Sequence, residues 1–436
     1  MRKWAAAVGL AMLLIFSSGL VLAQDAGLTN DQMTPKLKAA IEKSLKDEKS
    51  AAQVKTAIEA GKKARGDRLG FLAIAGAPAP IWWVGMLWAI WVGWIFSTVG
   101  AFGGIMAGVG HITIFGLGDY AKTFGKGNPV NTLMTDSIRV SNQWLVGTSA
   151  LISATNYYRM GRLVAPLGIC LAIGGVGGSW MVPALTAGKV SLRDYIGVFG
   201  LIVLLLGIML LRETTAAGQE KKKKAKEAAA SFEKKKAEAG SDEGVKVTEG
   251  SWPMMFLALV VVVSSALVFK LVPGVAWLAY VLALIGWIIT FFMGTIKFTF
   301  YGVEFEFKAW VPMLGGIFIA ALASFLGIGG GFLFVPFLTS VAGLPMFLVA
   351  GTSGLVVLVG MIVSIFAYMV GKGVVVQWGL VGGELIGIFI GSMIGPRTSK
   401  YIPDKWLKII FIVLAFYVGI RYTTKGFLGY SIVPPF

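Results

Sequence analysis

The stretch "FLGIGGGFLFVP", Phe325 to Pro336, decides the reading. Its Phe, Leu, Ile and Val residues suit a buried helix, yet Gly327, Gly329, Gly330 and Gly331 interrupt it and a proline follows. Glycine costs about 1 kcal/mol per helical position relative to alanine. In a bilayer, backbone N–H and C=O groups must be paired, so irregular backbone is tolerated only where protein or a water-filled cavity surrounds it. A helix broken there exposes half-helix N–H groups with partial positive charge, which can hold an anion. The other reading of the glycines is close helix packing through small residues.

The rest of the chain places this stretch in a membrane. Of 436 residues, 56% are hydrophobic and 14% charged, and the mean hydropathy is +0.77. Several apolar runs reach about 18–25 residues, enough to cross a bilayer core. The expected fold class is an all-α polytopic membrane protein built from two inverted-topology helical repeats with Gly-rich broken helices. One cysteine (Cys170) and one histidine (His111) exclude an internal disulfide and a Cys/His metal set. Cys170 reads as a packed helix residue. No nucleophile–base pair and no phosphate loop is visible, since no Gly-Lys-Ser/Thr follows "GIGGG". No enzyme, no cofactor and no nucleic-acid partner is therefore expected. The net charge of +17 reflects cytoplasmic Lys and Arg, and favours anions near the pore mouths.

Along the chain, residues 1–23 read as a signal peptide ending at Val21-Leu22-Ala23, with an uncleaved anchor as the alternative. Residues 24–80 form an extracytoplasmic segment in which Leu37, Ile41 and Leu45 mark one helical face. Repeat 1 covers 81–211, with spans near 81–97, 142–160, 163–187 and 194–211 and the Gly-rich run 100–118 between the first two. The Lys-rich loop 212–250 is cytoplasmic by the positive-inside rule. Residues 251–309 hold two more spans and the alternating "KFTFYGVEFEFK", which reads as a hairpin. Repeat 2 covers 310–425, with spans at 310–326, 347–370, 374–395 and 405–422 around the glycine run. The Lys-rich loop is inside only if residues 100–118 also cross. That parity puts Arg397, Lys400, Lys405 and Lys408 inside, and the C-terminus outside.

Two short matches recur in order. "VGTSALI", Val146 to Ile152, pairs with "AGTSGLV", Ala350 to Val356; "GGSWMVP", Gly177 to Pro183, pairs with "IGSMIGP", Ile390 to Pro396. Because the halves enter from opposite sides, this is an inverted repeat of the secondary-transporter kind.

"ASFLGIGGGFLFVPFL", "VAGTSGLVVL" and the span ending "GSMIGP" resemble the sulfite exporter TauE/SafE family, within the toluene-sulfonate uptake permease superfamily. The resemblance is strongest over residues 310–422 and looser over 95–211, where "GAFGGIMAGVG" replaces the glycine motif. It implies a two-repeat helical fold and transport of small sulfur oxyanions or organosulfonates. The chain departs from the simplest family pattern in its signal-like start, its Lys-rich loop, the two spans in 253–293, and His111 in the first half.

The substrate-binding candidates are Gly103, Gly104, Asn142, Gln143, Thr148, Ser149, Gly327, Gly329, Gly330, Gly331, Thr352 and Ser353. Hydroxyls, amides and backbone N–H groups can donate to an oxyanion; helix capping and back-bonding are the competing roles. Glu384, the one acid deep within an expected span, and His111 are the coupling candidates, since intramembrane carboxylates usually face a cavity. The rival readings are a structural pairing of Glu384 with Ser, Thr or Lys, and an interfacial His111. The expected protein is thus a multi-pass transporter of the bacterial-type inner membrane, exporting a small sulfur oxyanion or sulfonate by alternating access. Proton or sodium coupling and a homodimer are left open. The alternatives are an anion channel of similar build, and a membrane subunit or receptor that binds a partner protein.

Overall fold

The computed structural model describes residues 28–125, 127–186, 192–213, 215, 227, 229–231, 244–326 and 331–433. The signal-like start, most of the Lys-rich loop, and Gly327, Gly329 and Gly330 lie outside the described residues.

Helices α1 (Pro35–Leu45) and α2 (Glu48–Arg65) come first. Thr34 and Asp47 cap them, accepting from the N–H groups of Leu37 and Ser50. Leu37 and Ile41 are buried and Leu45 is half-buried, so the face read from their spacing packs on the protein. There follow α3 (Trp82–Val99), α4 (Gly103–Val109, continued by a π turn over Gly110–Ile114), α5 (Leu117–Thr123), α6 (Pro129–Arg159), α7 (Ala165–Thr186) and α8 (Leu192–Glu213). After β1 (Lys246–Glu249) come α9 (Trp252–Leu271), α10 (Ala276–Phe291) and the strands β2 (Thr295–Phe300) and β3 (Val303–Lys308). The chain ends with α11 (Trp310–Leu326), α12 (Gly331–Pro336, continued by a π turn over Phe337–Val341), α13 (Met346–Phe366, with a π turn over Ala367–Gly371), α14 (Trp378–Ser399) and α15 (Asp404–Phe427).

Among the described residues, 6 helices are long and apolar enough to cross a membrane, and shorter apolar helices include Gly103–Ile112 and Gly331–Val341. The chain is an all-α polytopic membrane protein. Helix α6 is longer than its expected span, 142–160. Asn128 caps it and Pro129 occupies its first turn, and its polar first third packs on α1 and α5. Hydropathy misses that third because it answers to a cap of folded protein rather than to lipid.

The hairpin forms as the alternation predicts, with Tyr301 and Gly302 at its turn, both at positive φ. Phe298 lies opposite Phe305, their rings stacked at 5.1 Å, and Phe298, Phe300 and Phe305 are all buried. A third strand, β1, pairs with β2. Val245 N–H donates to Gly161 O at 2.7 Å, which anchors this small sheet to the turn between α6 and α7.

The two halves pack by exchange. Helix α3 of the first half lies along α14 of the second, and α11 of the second along α7 of the first; α6 pairs with α13, and α8 with α15. Glycines set the closest approaches. A Cβ on Gly387 of α14 would sit 2.1 Å from Met86 O, and one on Gly391 2.1 Å from Ile90 O. A Cβ on Gly174 of α7 would sit 1.9 Å from Met313 O, and one on Gly178 2.7 Å from Ile317 O. Gly178 and Gly391 are equivalent in the G-S…P match, so equivalent glycines meet equivalent partners. This uncovers a further correspondence, "WVGMLWAI" (Trp83 to Ile90) with "WVPMLGGI" (Trp310 to Ile317), in which Met86 matches Met313 and Ile90 matches Ile317.

Candidate anion site and buried carboxylate

The first half shows how its helix breaks. Helix α3 ends at Gly100, whose φ of +75° is left-handed and whose N–H donates to Phe96 O at 2.7 Å. A Cβ there would meet Ser353 Oγ at 2.1 Å and Ala350 Cα at 2.7 Å, so this corner needs glycine twice over. Phe102 is also left-handed, at φ 66°, and its ring packs against Phe332 and Phe411 at 6.1 and 5.0 Å. Helix α4 then starts at Gly103 with no side-chain cap.

The start of α4 faces the start of α12. Gly103, Gly104 and Ile105 line one side of a small void and Gly331 and Phe332 another, with Phe96, Phe102, Val146 and Val357 completing it. The first residues of α4 and α12 thus border one small, mostly apolar chamber. Among the candidates, Gly103, Gly104 and Gly331 come together here; Gly327, Gly329 and Gly330 lie outside the described residues. From the void the two helices lead to opposite ends. Helix α4 runs to His111, near the start of α14. Helix α12 runs towards Phe347, whose carbonyl accepts from Arg162 Nε at 3.3 Å.

The other candidates divide. His111 and Glu384 are each 1% exposed, and His111 Nε2 lies 3.0 Å from Glu384 Oε2. On the other side of the ring, Nδ1 lies 2.5 Å from Asn142 Oδ1. With the amide oxygen accepting, Nδ1 carries a hydrogen, and Nε2 and the carboxylate can share one further proton. Gly85 leaves room for Glu384, whose Cγ would lie 3.2 Å from a Cβ there. Trp88 Nε1 donates to Met106 O at 3.1 Å and would lie 2.4 Å from a Cβ on Gly110, so that glycine fixes the π turn carrying His111. Glu384 therefore has a partner, His111, that its sequence context did not suggest. The two residues are 273 positions apart, and no local pattern joins them.

The G-T-S hydroxyls join backbone and helices. Thr352 Oγ1 donates to Leu348 O at 2.7 Å and accepts from Val164 N at 3.1 Å. Ser353 donates to Gly100 O at 2.9 Å, Ser149 and Ser392 share a hydrogen bond of 2.8 Å, and Thr148 is half-buried. Gln143 Nε2 donates to Ser364 Oγ at 2.8 Å. Sequence reading missed a second buried cluster. Tyr157 OH donates to Ser97 O at 2.8 Å and lies 3.0 Å from Ser399 Oγ, while Arg162 stacks over Tyr157 at 4.9 Å.

Six long apolar helices, one of them ended by a left-handed glycine beside an internal void, define a polytopic membrane protein. Residues 243–422 match the family model "Sulfite exporter TauE/SafE", a family of membrane exporters rather than enzymes. The match reaches back beyond the glycine motif to β1. The two spans in 253–293, expected to be a departure from the family pattern, fall inside it. No curated protein and no solved structure matches the chain.

Proposed function

We propose that the chain is a secondary transporter that exports small sulfur-containing anions, sulfite or organosulfonates, by alternating access of two inverted halves. The convergence of α4 and α12 on one void carries this reading. Aligned peptide dipoles favour negative charge at both helix starts, and the surrounding Phe and Val side chains lower the local dielectric and strengthen the attraction. The exchanged packing of α3 with α14 and of α11 with α7 supports two related halves. The family match over residues 243–422 supports a sulfur-oxyanion substrate and the export direction.

The test is uptake of labelled sulfite, thiosulfate and a sulfonate by proteoliposomes. A Cβ on Gly331 would already press on Val357 Cγ2 at 3.0 Å, so Gly331→Leu fills the void. Flux is expected to fall at least about a hundredfold, as for the loss of an obligatory substrate position, with membrane insertion retained. Gly360→Ala, where a Cβ meets nothing within 4 Å, is the control and should transport normally. Wild-type flux through Gly331→Leu would remove the void from the pathway.

A further inference from the structure

The proposed function does not use the buried Asn142–His111–Glu384 chain, yet the same helix joins that chain to the void. Gly104, Gly108 and His111 follow one another at helical spacing on α4: Gly104 lines the void, a Cβ on Gly108 would lie 3.7 Å from Asn142 Nδ2, and His111 bonds Asn142. Seven residues of rise put the imidazole about 10 Å from the void. On α6, Asn142 lies one turn from Val146, which lines the void.

We propose that His111 and Glu384 form a proton-binding site linked to the anion site, so that anion binding draws protons onto the pair. This rests on the anion-transport reading above. The pair is neutral when one proton is shared between Nε2 and the carboxylate, and carries one negative charge when that proton leaves. A buried negative charge about 10 Å from an anion repels it through a low-dielectric interior. Anion affinity is therefore higher with the proton bound, and linkage makes proton affinity rise by the same factor when the anion binds. A structural ion pair would show no such dependence.

No other titratable group among the described residues contacts the pair. Helix α3 presents Gly85 and Trp88 to this region, α14 Leu380 and α6 Asn142, while Phe115 packs edge-on to the His111 ring at 5.8 Å. The nearest charges on α6 are Asp136 and Arg139, paired with each other at 2.8 Å; Arg139 also donates to Tyr368 OH, and Lys372 lies 3.9 Å from Asp136. On α5, Lys122 pairs with Asp119 at 2.7 Å.

The experiment uses the purified full-length protein in weakly buffered detergent solution. Binding of sulfite, thiosulfate and methanesulfonate is followed by thermal shift, and proton uptake by a pH dye against a protein-free blank. The wild type should take up protons on binding, and its affinity should fall on the order of tenfold as the pH rises and the pair loses its proton. His111→Gln/Glu384→Gln should bind the anion at the wild type's low-pH affinity at every pH, with no proton uptake. Glu384→Gln alone keeps the hydrogen-bonding shape and serves if the double variant does not fold. Anion binding by the wild type without proton uptake, or equal uptake by the variants, overturns the coupling and leaves the transport reading standing. A wild type that neither binds nor moves any of the three anions overturns both.

Discussion

At the scale of the residue, the deciding positions are glycines that do different work. Gly100 turns the chain, Gly103 and Gly331 line the void, and Gly387 and Gly391 bring two helices into contact. Gly100→Ala should cost about 1–3 kcal/mol through its left-handed backbone, with steric overlap added, and should lower the melting temperature. Ser353→Ala in the same chain should not rescue it, because Ala350 Cα remains 2.7 Å from the new Cβ. Full rescue would mean that the hydroxyl alone requires the glycine. A glycine cluster showed from sequence that the chain must do something unusual here. It could not show which glycine turns, which packs and which borders a void, because each role is assigned by atoms from the other half. Thr352 and Ser353 make the same point: their recurrence was legible, but the Val164 and Gly100 backbone groups they hold were not.

At the scale of the element, period and length were legible wherever one environment covers the whole segment. The alternation in β2 and β3 predicts a half-buried hairpin, and the apolar runs predict α9, α10 and α13. Legibility fails where environments change along an element, as on α6, or where a partner is remote, as for β1. The glycines of α14 give a sharp test. Gly387→Ala drives a Cβ to 2.1 Å from Met86 O and should impair folding, whereas Gly382→Ala meets nothing within 4 Å. The second should be neutral or stabilising by up to about 1 kcal/mol, as expected for glycine replaced within a helix; equal melting temperatures would contradict the packing. Helix α2 carries a pH test. Hydrogen bonds from Ser50 hold the Asp47 carboxyl below its ordinary value. A depressed carboxylate contributes stability above its unfolded value and loses it as pH falls through the folded one. Once intrinsic exchange is divided out, protection of the Ser50 amide should therefore fall on acidification, and in Asp47→Asn it should lose that pH dependence.

At the scale of the whole molecule, function depends on whether the paired halves move. Helices α6 and α13 carry the two G-T-S motifs and cross where a Cβ on Gly147 would lie 3.2 Å from Met361 Cβ. Val146 and Val357, on the same helices, border the void. Alternating access requires this crossing to shift, since a site between two halves cannot change sides while they stay fixed. Two cysteines here are close enough for a disulfide after slight relaxation, and the native Cys170 is buried and removable as Cys170→Ala. Gly147→Cys/Met361→Cys in that background should lose anion flux on oxidation and recover it with reductant, and each single variant should ignore both treatments. A channel of the same build has no need of that movement and would conduct with the bond closed. Undiminished flux through the oxidised double variant would therefore decide for a fixed pathway, and the void between α4 and α12 would then be a constriction rather than an alternating site.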